Sequence, residues 1–451
     1  MRITKIAVKD LFGVFNHDIP LNTTEHITII HGPNGYGKTI LLTLVNELFN
    51  SKYNKILTIP FKELSISFDN DSMLILKKNG KSEENGKKKA SNENSLILEL
   101  FEKGAKAKSH KIEFAVPSDL SLPSGPLQSF DPAMGRIGLN YVHQDTFGKK
   151  KSSKKVVSGF EDTLSVPFIF KGKSEPVWLK EIINTVPIHF IETQRLFDFS
   201  FNPGKPNENA TSNFHGKVEA VTNYSKELAE LIQANLAEYG TLSQSLDRTF
   251  PTRLVKNTPS TLLSLEQLRD ELNQLEEKRK RLTTTGFMDK EQEIDFKDLQ
   301  NIDKNNAHVL AVYIADGKQK LSVFDELMTK IDLLIKIINS RFLYKQLSIS
   351  KTDGFVFTTS DGKRISPNSL SSGEQHELVL LYGLLFKVSP ESLILIDEPE
   401  LSLHIYWQQQ FLKDLGEITK LIGFDVLIAT HSPQIINDRW DLTVELKGPN
   451  Q

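Results

Sequence analysis

The segment Gly32-Pro33-Asn34-Gly35-Tyr36-Gly37-Lys38-Thr39 constrains this chain more than any other. It fits the pattern G-x-x-x-x-G-K-[ST], in which a glycine-rich turn wraps an anion with inward-pointing N–H groups. Its flanks fit as well. The apolar run Ile27-Thr28-Ile29-Ile30 precedes it, and a helical stretch from Ile40 to Phe49 follows. Strand, loop and helix in that order place the loop at a helix N-terminus, where the helix dipole favours negative charge. Gly32, Asn34, Gly35 and Gly37 are therefore read as a phosphate cradle. Lys38 can reach the outer phosphates, and Thr39 can hold Mg²⁺ through its hydroxyl.

A chain of 451 residues is long for one compact unit, so two or more are expected. Lys and Arg total 55 against 57 Asp and Glu, a net charge of −2 that gives no basic surface overall. The absence of cysteine excludes disulfides, thiolate metal sites and cysteine nucleophiles. No signal-peptide pattern opens the chain, and no apolar run spans a bilayer, so a cytoplasmic protein without a membrane partner is expected.

Three zones are predicted. Residues 1–200 hold the phosphate loop and alternating apolar–polar runs of antiparallel β character, such as Leu64-Ser65-Ile66-Ser67-Phe68, Leu74-Ile75-Leu76 and Leu96-Ile97-Leu98-Glu99-Leu100. Lys77 to Asn94 reads as a hairpin tip, and a second lysine cluster covers Lys149, Lys150, Lys151, Lys154 and Lys155. Val186 to Ile191 reads as a buried strand. Residues 201–345 read as helical. Leu262, Leu265, Leu268, Leu272 and Leu275 recur every three or four residues among charges, which predicts a short coiled coil, and Ala311 to Leu343 predicts a further helical stretch. Residues 346–451 return to short strands and helices, with Leu393–Ile396 and Val426–Ala429 as buried parallel strands.

Four features in the later chain can complete a site. The run Leu393-Ile394-Leu395-Ile396 ends in Asp397-Glu398-Pro399, so Asp397 can serve Mg²⁺ and Glu398 can orient or deprotonate a water. Taken alone, the same residues are an acidic strand-to-turn junction. Leu370-Ser371-Ser372-Gly373-Glu374 is a helix start in which Ser371 or Ser372 caps the N-terminus, and such a terminus can also receive a γ-phosphate from a neighbouring subunit. His431 follows a strand at the ligand side of an α/β sheet. Gln194, just after a buried strand, can sense metal or water or be a solvated loop residue; Gln144 is a weaker rival.

In their order along the chain, the phosphate loop, Gln194, Leu370–Glu374, Ile396–Pro399, Glu400–His404 and His431 resemble an ABC-type ATPase. The long helical interruption resembles the SMC and RecF-type branch rather than transporters. The fold expected from this resemblance is α/β: a P-loop ABC-type ATPase core, an antiparallel β lobe and a helical insertion. Glu398 to His404 with Trp407-Gln408, and Phe190 to Leu196, look like a narrower group. These are the compact prokaryotic ATPases of phage-defence systems: Septu, retron-associated and PARIS types and the overcoming-lysogenization-defect relatives. The resemblance implies ATP and Mg²⁺ as cofactors and ATP hydrolysis as the activity. It implies that Thr39, Asp397 and Gln194 serve the metal, that Glu398 is the base, and that His431 contacts the γ-phosphate. Ser371 and Gly373 complete the site of a head-to-tail partner copy, and Ser402 and His404 lie in the dimer-contact loop. Ser372 stands where transporter signatures usually have glycine. The chain ends shortly after His431, without room for a C-terminal toprim nuclease, so a separate nuclease or toxin effector is the expected partner. A DNA-binding repair ATPase, using the lysine clusters, is the alternative. Assembly beyond the dimer stays open.

Overall fold

The computed structural model describes residues 1–78, 95–104, 106–115, 142–144, 150–152, 169–170, 175–192, 215–256, 264–289, 304–401 and 403–448. In chain order the elements begin with β1 (Ile3–Leu11), β2 (Phe15–Pro20), β3 (Ile27–His31), α1 (Lys38–Phe49), α2 (Tyr53–Thr58), β4 (Glu63–Phe68) and β5 (Met73–Lys78). Next come β6 (Ser95–Phe101), β7 (Lys108–Ala115), β8 (Val142–Gln144), β9 (Lys150–Ser152), β10 (Ile169–Phe170), α3 (Val177–Thr185) and β11 (Ile188–Glu192). Four helices follow: α4 (His215–Lys256), α5 (Leu265–Thr284), α6 (Lys304–Ser322) and α7 (Asp325–Arg341). The last group is β12 (Lys345–Ser350), β13 (Gly354–Thr359), β14 (Arg364–Ile365), α8 (Ser372–Tyr382), β15 (Leu393–Asp397), α9 (Ile405–Ile422), β16 (Asp425–Ala429), α10 (Pro433–Ile436) and β17 (Thr443–Glu445).

The sheet that positions the site has the order β11-β15-β16-β3-β17, and its neighbouring strands run parallel. Its strands are near-continuous apolar runs because both faces are covered. Alternate residues divide between two cores. Ile30, Leu393, Leu395, Leu427 and Ala429 face α1 and the antiparallel lobe. Ile27, Ile29, Ile394, Ile396, Val426 and Ile428 face α8, α9 and the helical segment. Register pairs Asp397 with Ala429 and Ala429 with Ile30, so the C-terminal ends of β15, β16 and β3 form one rim. The strand leading to His431 thus lies between the one bearing the phosphate loop and the one bearing Asp397.

The second sheet is antiparallel, in the order β10-β7-β6-β5-β4-β1-β2. Its alternation has the expected cause: Leu64, Ile66 and Phe68 are buried while their neighbours are not. On β5 and β6, Lys77 pairs with Glu99 at 2.7 Å. Lys78 donates to the Ile59 carbonyl at 3.0 Å and also to that of Leu57. These two lysines belong to a strand, not to a hairpin tip. The rest of that lysine cluster lies outside the described residues.

In the helical segment, Leu268 and Leu272 pack against Ala307 and Ile314 of α6. Leu275 is also buried, and Gly317 of α6 permits its approach: a Cβ there would lie 2.7 Å from Leu275 Cδ1. Leu268, Leu272 and Leu275 of the leucine stripe are thus satisfied within the chain; Leu262 and the side chain of Leu265 lie outside the described residues. The stretch Ala311 to Leu343 is two helices, not one. The chain turns at Phe324, which is buried against Phe287 and Tyr239. A tertiary contact, with no glycine or proline at the turn, breaks the helix, so the sequence carries no breaker signal there.

Candidate functional site

The phosphate loop folds as its glycines require. Gly35 and Gly37 take φ values of 89° and 84°, a region costly for residues with a Cβ. Gly37 also abuts Leu11, whose Cδ2 would stand 2.6 Å from an added Cβ. Lys38 opens α1 and is buried; its Nζ donates to the carbonyls of Gly32 at 2.7 Å and Pro33 at 3.2 Å. Burial pulls its pKa down, while Glu398, Asp397 and Glu400 push it back up. Three carboxylates from the far end of the sequence therefore act electrostatically on this ammonium. The crest of the loop is held from β2. His17, buried and stacked on Phe15, bonds through Nε2 to the Tyr36 carbonyl at 2.8 Å. A carbonyl only accepts, so Nε2 carries the proton. Burial lowers the His17 pKa against the opposing effect of that bond.

Thr39 Oγ1 donates to Asp397 Oδ1 at 3.1 Å, joining residues 358 positions apart. A hydroxyl and a carboxylate oxygen are hard donors, of the kind Mg²⁺ takes in small number while keeping waters. The pair fits that ion. Glu398 adopts a left-handed φ of 45°, and its amide donates to the Ala429 carbonyl at 2.8 Å. That conformation costs on the order of 1 kcal/mol in a non-glycine residue. The Glu398 carboxylate lies 3.6 Å from His431 Nδ1.

Glu400 is the residue that sequence reasoning left without a role. Its side chain is only 8% exposed, and one oxygen stands 3.1 Å from His431 Nδ1. The same carboxylate accepts from the Thr430 hydroxyl at 2.8 Å and the His431 amide at 3.1 Å. Gln408, also buried, bonds to the Glu400 and Leu403 carbonyls and accepts from the Ser432 hydroxyl. The loop after β15 and the loop after β16 are thus tied together. A third carboxylate in Asp397-Glu398-Pro399-Glu400 was visible in the sequence, but its burial was not.

Ser371 and Gly373 belong to a different cluster. Ser371 is the N-cap of α8 and forms a capping box with Glu374. This decides between the two candidate serines. The Glu374 carboxylate also pairs with Lys345 at 2.7 Å. Burial works against its ionisation, yet the bonds from Lys345 and Ser371 hold its pKa below the usual carboxylate value. A Cβ on Gly373 would meet Trp407 at 3.9 Å, and Trp407 stacks on Phe342. The bonds around this helix start run to Lys345 and Glu374, not to the phosphate loop of the same chain. His404 caps α9 and lies against the Trp407 ring. Gln194 and Ser402 lie outside the described residues, as does the side chain of Gln144 on β8.

Residues 118–437 match the profile of the family described as "AAA domain, putative AbiEii toxin, Type IV TA system". That is well over half of the chain, and the chain belongs to this family. The matched span contains Ser371, Asp397, Glu398, Glu400 and His431, while the phosphate loop precedes it. Among solved structures, the chain is similar to the Smc head domain with an extended coiled coil bound to the C-terminal domain of ScpA from Pyrococcus furiosus. The identity is 12%, the match covers 99% of this chain and 94% of that one, and the TM-score is 0.37.

Proposed function

We propose that this ATPase is a subunit of a prokaryotic anti-phage defence system that closes head-to-tail around ATP and controls a separate nuclease or toxin effector. The observation that carries its chemistry is the meeting of Thr39 with Asp397 and of Glu398 with His431 on one rim. The family's description, which speaks of a toxin and a type IV toxin–antitoxin system, supports the defence role.

In this reading Lys38 exchanges its bonds to the Gly32 and Pro33 carbonyls for phosphate oxygens. Thr39 and Asp397 would hold Mg²⁺, which would offset the phosphate charge. Glu398 accepts a proton from water as the water oxygen bonds to the γ-phosphorus. The bond from that phosphorus to the bridging oxygen breaks, and its electron pair leaves with ADP. His431 donates to the γ-phosphate oxygens. Gln194, outside the described residues, would serve the same metal. The partner's α8, capped by Ser371 with Gly373 in its first turn, closes on the γ-phosphate. Two lysines of the DNA-clamp alternative, Lys77 and Lys78, are engaged within the antiparallel lobe instead.

Native mass determination of the protein co-expressed with its genomic neighbours tests the proposal. A stable complex with a nuclease-like or toxin-like partner is the expected result. A protein that purifies alone, dimerises with ATP and retains DNA would overturn the defence assignment in favour of the repair clamp.

A further inference from the structure

The arrangement around Glu400 goes beyond the role of any single motif. A buried carboxylate is costly unless its oxygens are bonded. Here both oxygens are used: one accepts from the Thr430 hydroxyl at 2.8 Å, the other from the His431 amide at 3.1 Å, and His431 Nδ1 stands at ion-pair distance, 3.1 Å, from that second oxygen. Thr430 is itself fully buried. Its hydroxyl also accepts from the Ser432 amide at 3.0 Å. The backbone and ring of His431 are therefore gripped together from one side chain. An ionised carboxylate only accepts, so the ring nitrogen facing it must carry a proton. Glu398, 3.6 Å away, is the other charged group beside Nδ1.

We infer that Glu400 is the positioning residue of the site: it fixes the His431 ring with a proton on Nδ1, so that Nε2 faces the phosphate and donates to it when the ring carries both protons. The inference rests on the reading of His431 as the ATP-facing residue. Glu400 need not touch nucleotide; it acts through His431. Glutamine at this position keeps the shape but places an amide where one of the donors needs an acceptor, so the ring is released. Behind metal-ligating histidines such a carboxylate matters by about 10–100-fold, and the same scale is expected for His431.

Three full-length variants, Glu400→Gln, His431→Gln and the double variant, are compared for ATP turnover and ATP affinity. Side-chain ¹⁵N spectra of histidine-labelled protein follow the ring in wild type and Glu400→Gln. The expected result for Glu400→Gln is a fall in kcat of about 10–100-fold with ATP affinity within about twofold. In the His431→Gln background the same change has no further effect, because the residue it acts through is gone. The wild-type spectrum shows His431 protonated at Nδ1, and that signature is lost in Glu400→Gln. A multiplicative loss in the double variant, or a wild-type His431 without a proton on Nδ1, overturns the inference. Should Glu400→Gln not fold, Thr430→Val loosens one arm of the carboxylate: a smaller fall in kcat at constant affinity is expected, and unchanged kcat overturns it. A wild type that shows the Nδ1–H signature but no ATP turnover overturns the hydrolysis reading while leaving the positioning of His431 intact.

Discussion

At the scale of single residues, two groups set how the phosphate loop behaves. Lys38 is buried, carboxylates from the far end of the chain offset part of the burial that lowers its pKa, and two loop carbonyls hold it in place. Lys38→Ala should weaken ATP binding by at least about 100-fold, since charge-assisted bonds to phosphate are the strong ones; titration calorimetry reads this directly. His17 is the second group. Burial holds its folded-state pKa below 6.5, so between that value and 6.5 the unfolded chain binds more protons than the folded one. The contribution of His17 is then complete above 6.5 and is lost as pH falls through the folded pKa. His189 shifts in the same direction through burial. Urea midpoints should therefore fall as pH drops from about 7.5 to about 5.5, and less steeply in His17→Gln, whose amide keeps the bond to Tyr36 without titrating. Equal slopes would show that His17 is not the source. The loop itself was legible in the sequence because it is one continuous segment. The grip of His17 on it was not, because that bond crosses from β2 to the loop and follows no local pattern.

Among the elements, helix α8 is tied to its neighbours by buried charge. Arg341 at the end of α7 pairs with Glu377 on α8 and Asp414 on α9, and Arg341 and Glu377 are both buried. Removing one member of a buried ionic cluster leaves charges without compensation. Arg341→Met should therefore destabilise the protein by about 3–5 kcal/mol in urea unfolding, whereas replacing all three members with apolar residues should restore most of the loss. A second tie joins α4 to α8: Tyr224 stacks on Tyr382, and Lys387, just beyond α8, pairs with Glu227. The hairpin turn before β13 is fixed to α4 as well. Gly354 has a φ of 68°, and a Cβ there would lie 1.9 Å from the Ser225 carbonyl oxygen. Gly354→Ala should lower stability well beyond the roughly 1 kcal/mol of a helix-cap loss, because neither backbone can yield cheaply. Stability equal to wild type would mean that α4 and β13 move apart freely. The helix start at Ser371 was visible in the sequence as a cap. The ionic cluster beneath it was not, because Arg341, Glu377 and Asp414 share no spacing that marks them as neighbours. The break between α6 and α7 escaped for a similar reason: Phe324 turns the chain through burial rather than through backbone chemistry.

For the whole molecule, a parallel sheet brings the end of β3, near the start of the chain, beside the ends of β15 and β16, near its finish, and the site follows from that topology. The α/β class and the strand assignments of β3, β15 and β16 were readable from apolar runs ending in special residues. The pairing of Thr39 with Asp397 was foreshadowed by the chemistry of the two motifs. The role of Glu400 needed the fold, since sequence cannot tell a solvated carboxylate from a buried one. If ATP closes a head-to-tail dimer, light scattering of Glu398→Gln should show the doubled mass only with ATP and Mg²⁺, and Ser371→Arg should abolish it by crowding the α8 terminus. In the proposed mechanism Glu398, whose carboxylate lies 3.6 Å from His431 Nδ1, is the base that activates water. Its most direct test is ATP turnover measured beside ATP binding in wild type and Glu398→Gln. The expected result is unchanged binding with turnover reduced by about 100-fold or more; equal turnover in the two proteins would contradict it.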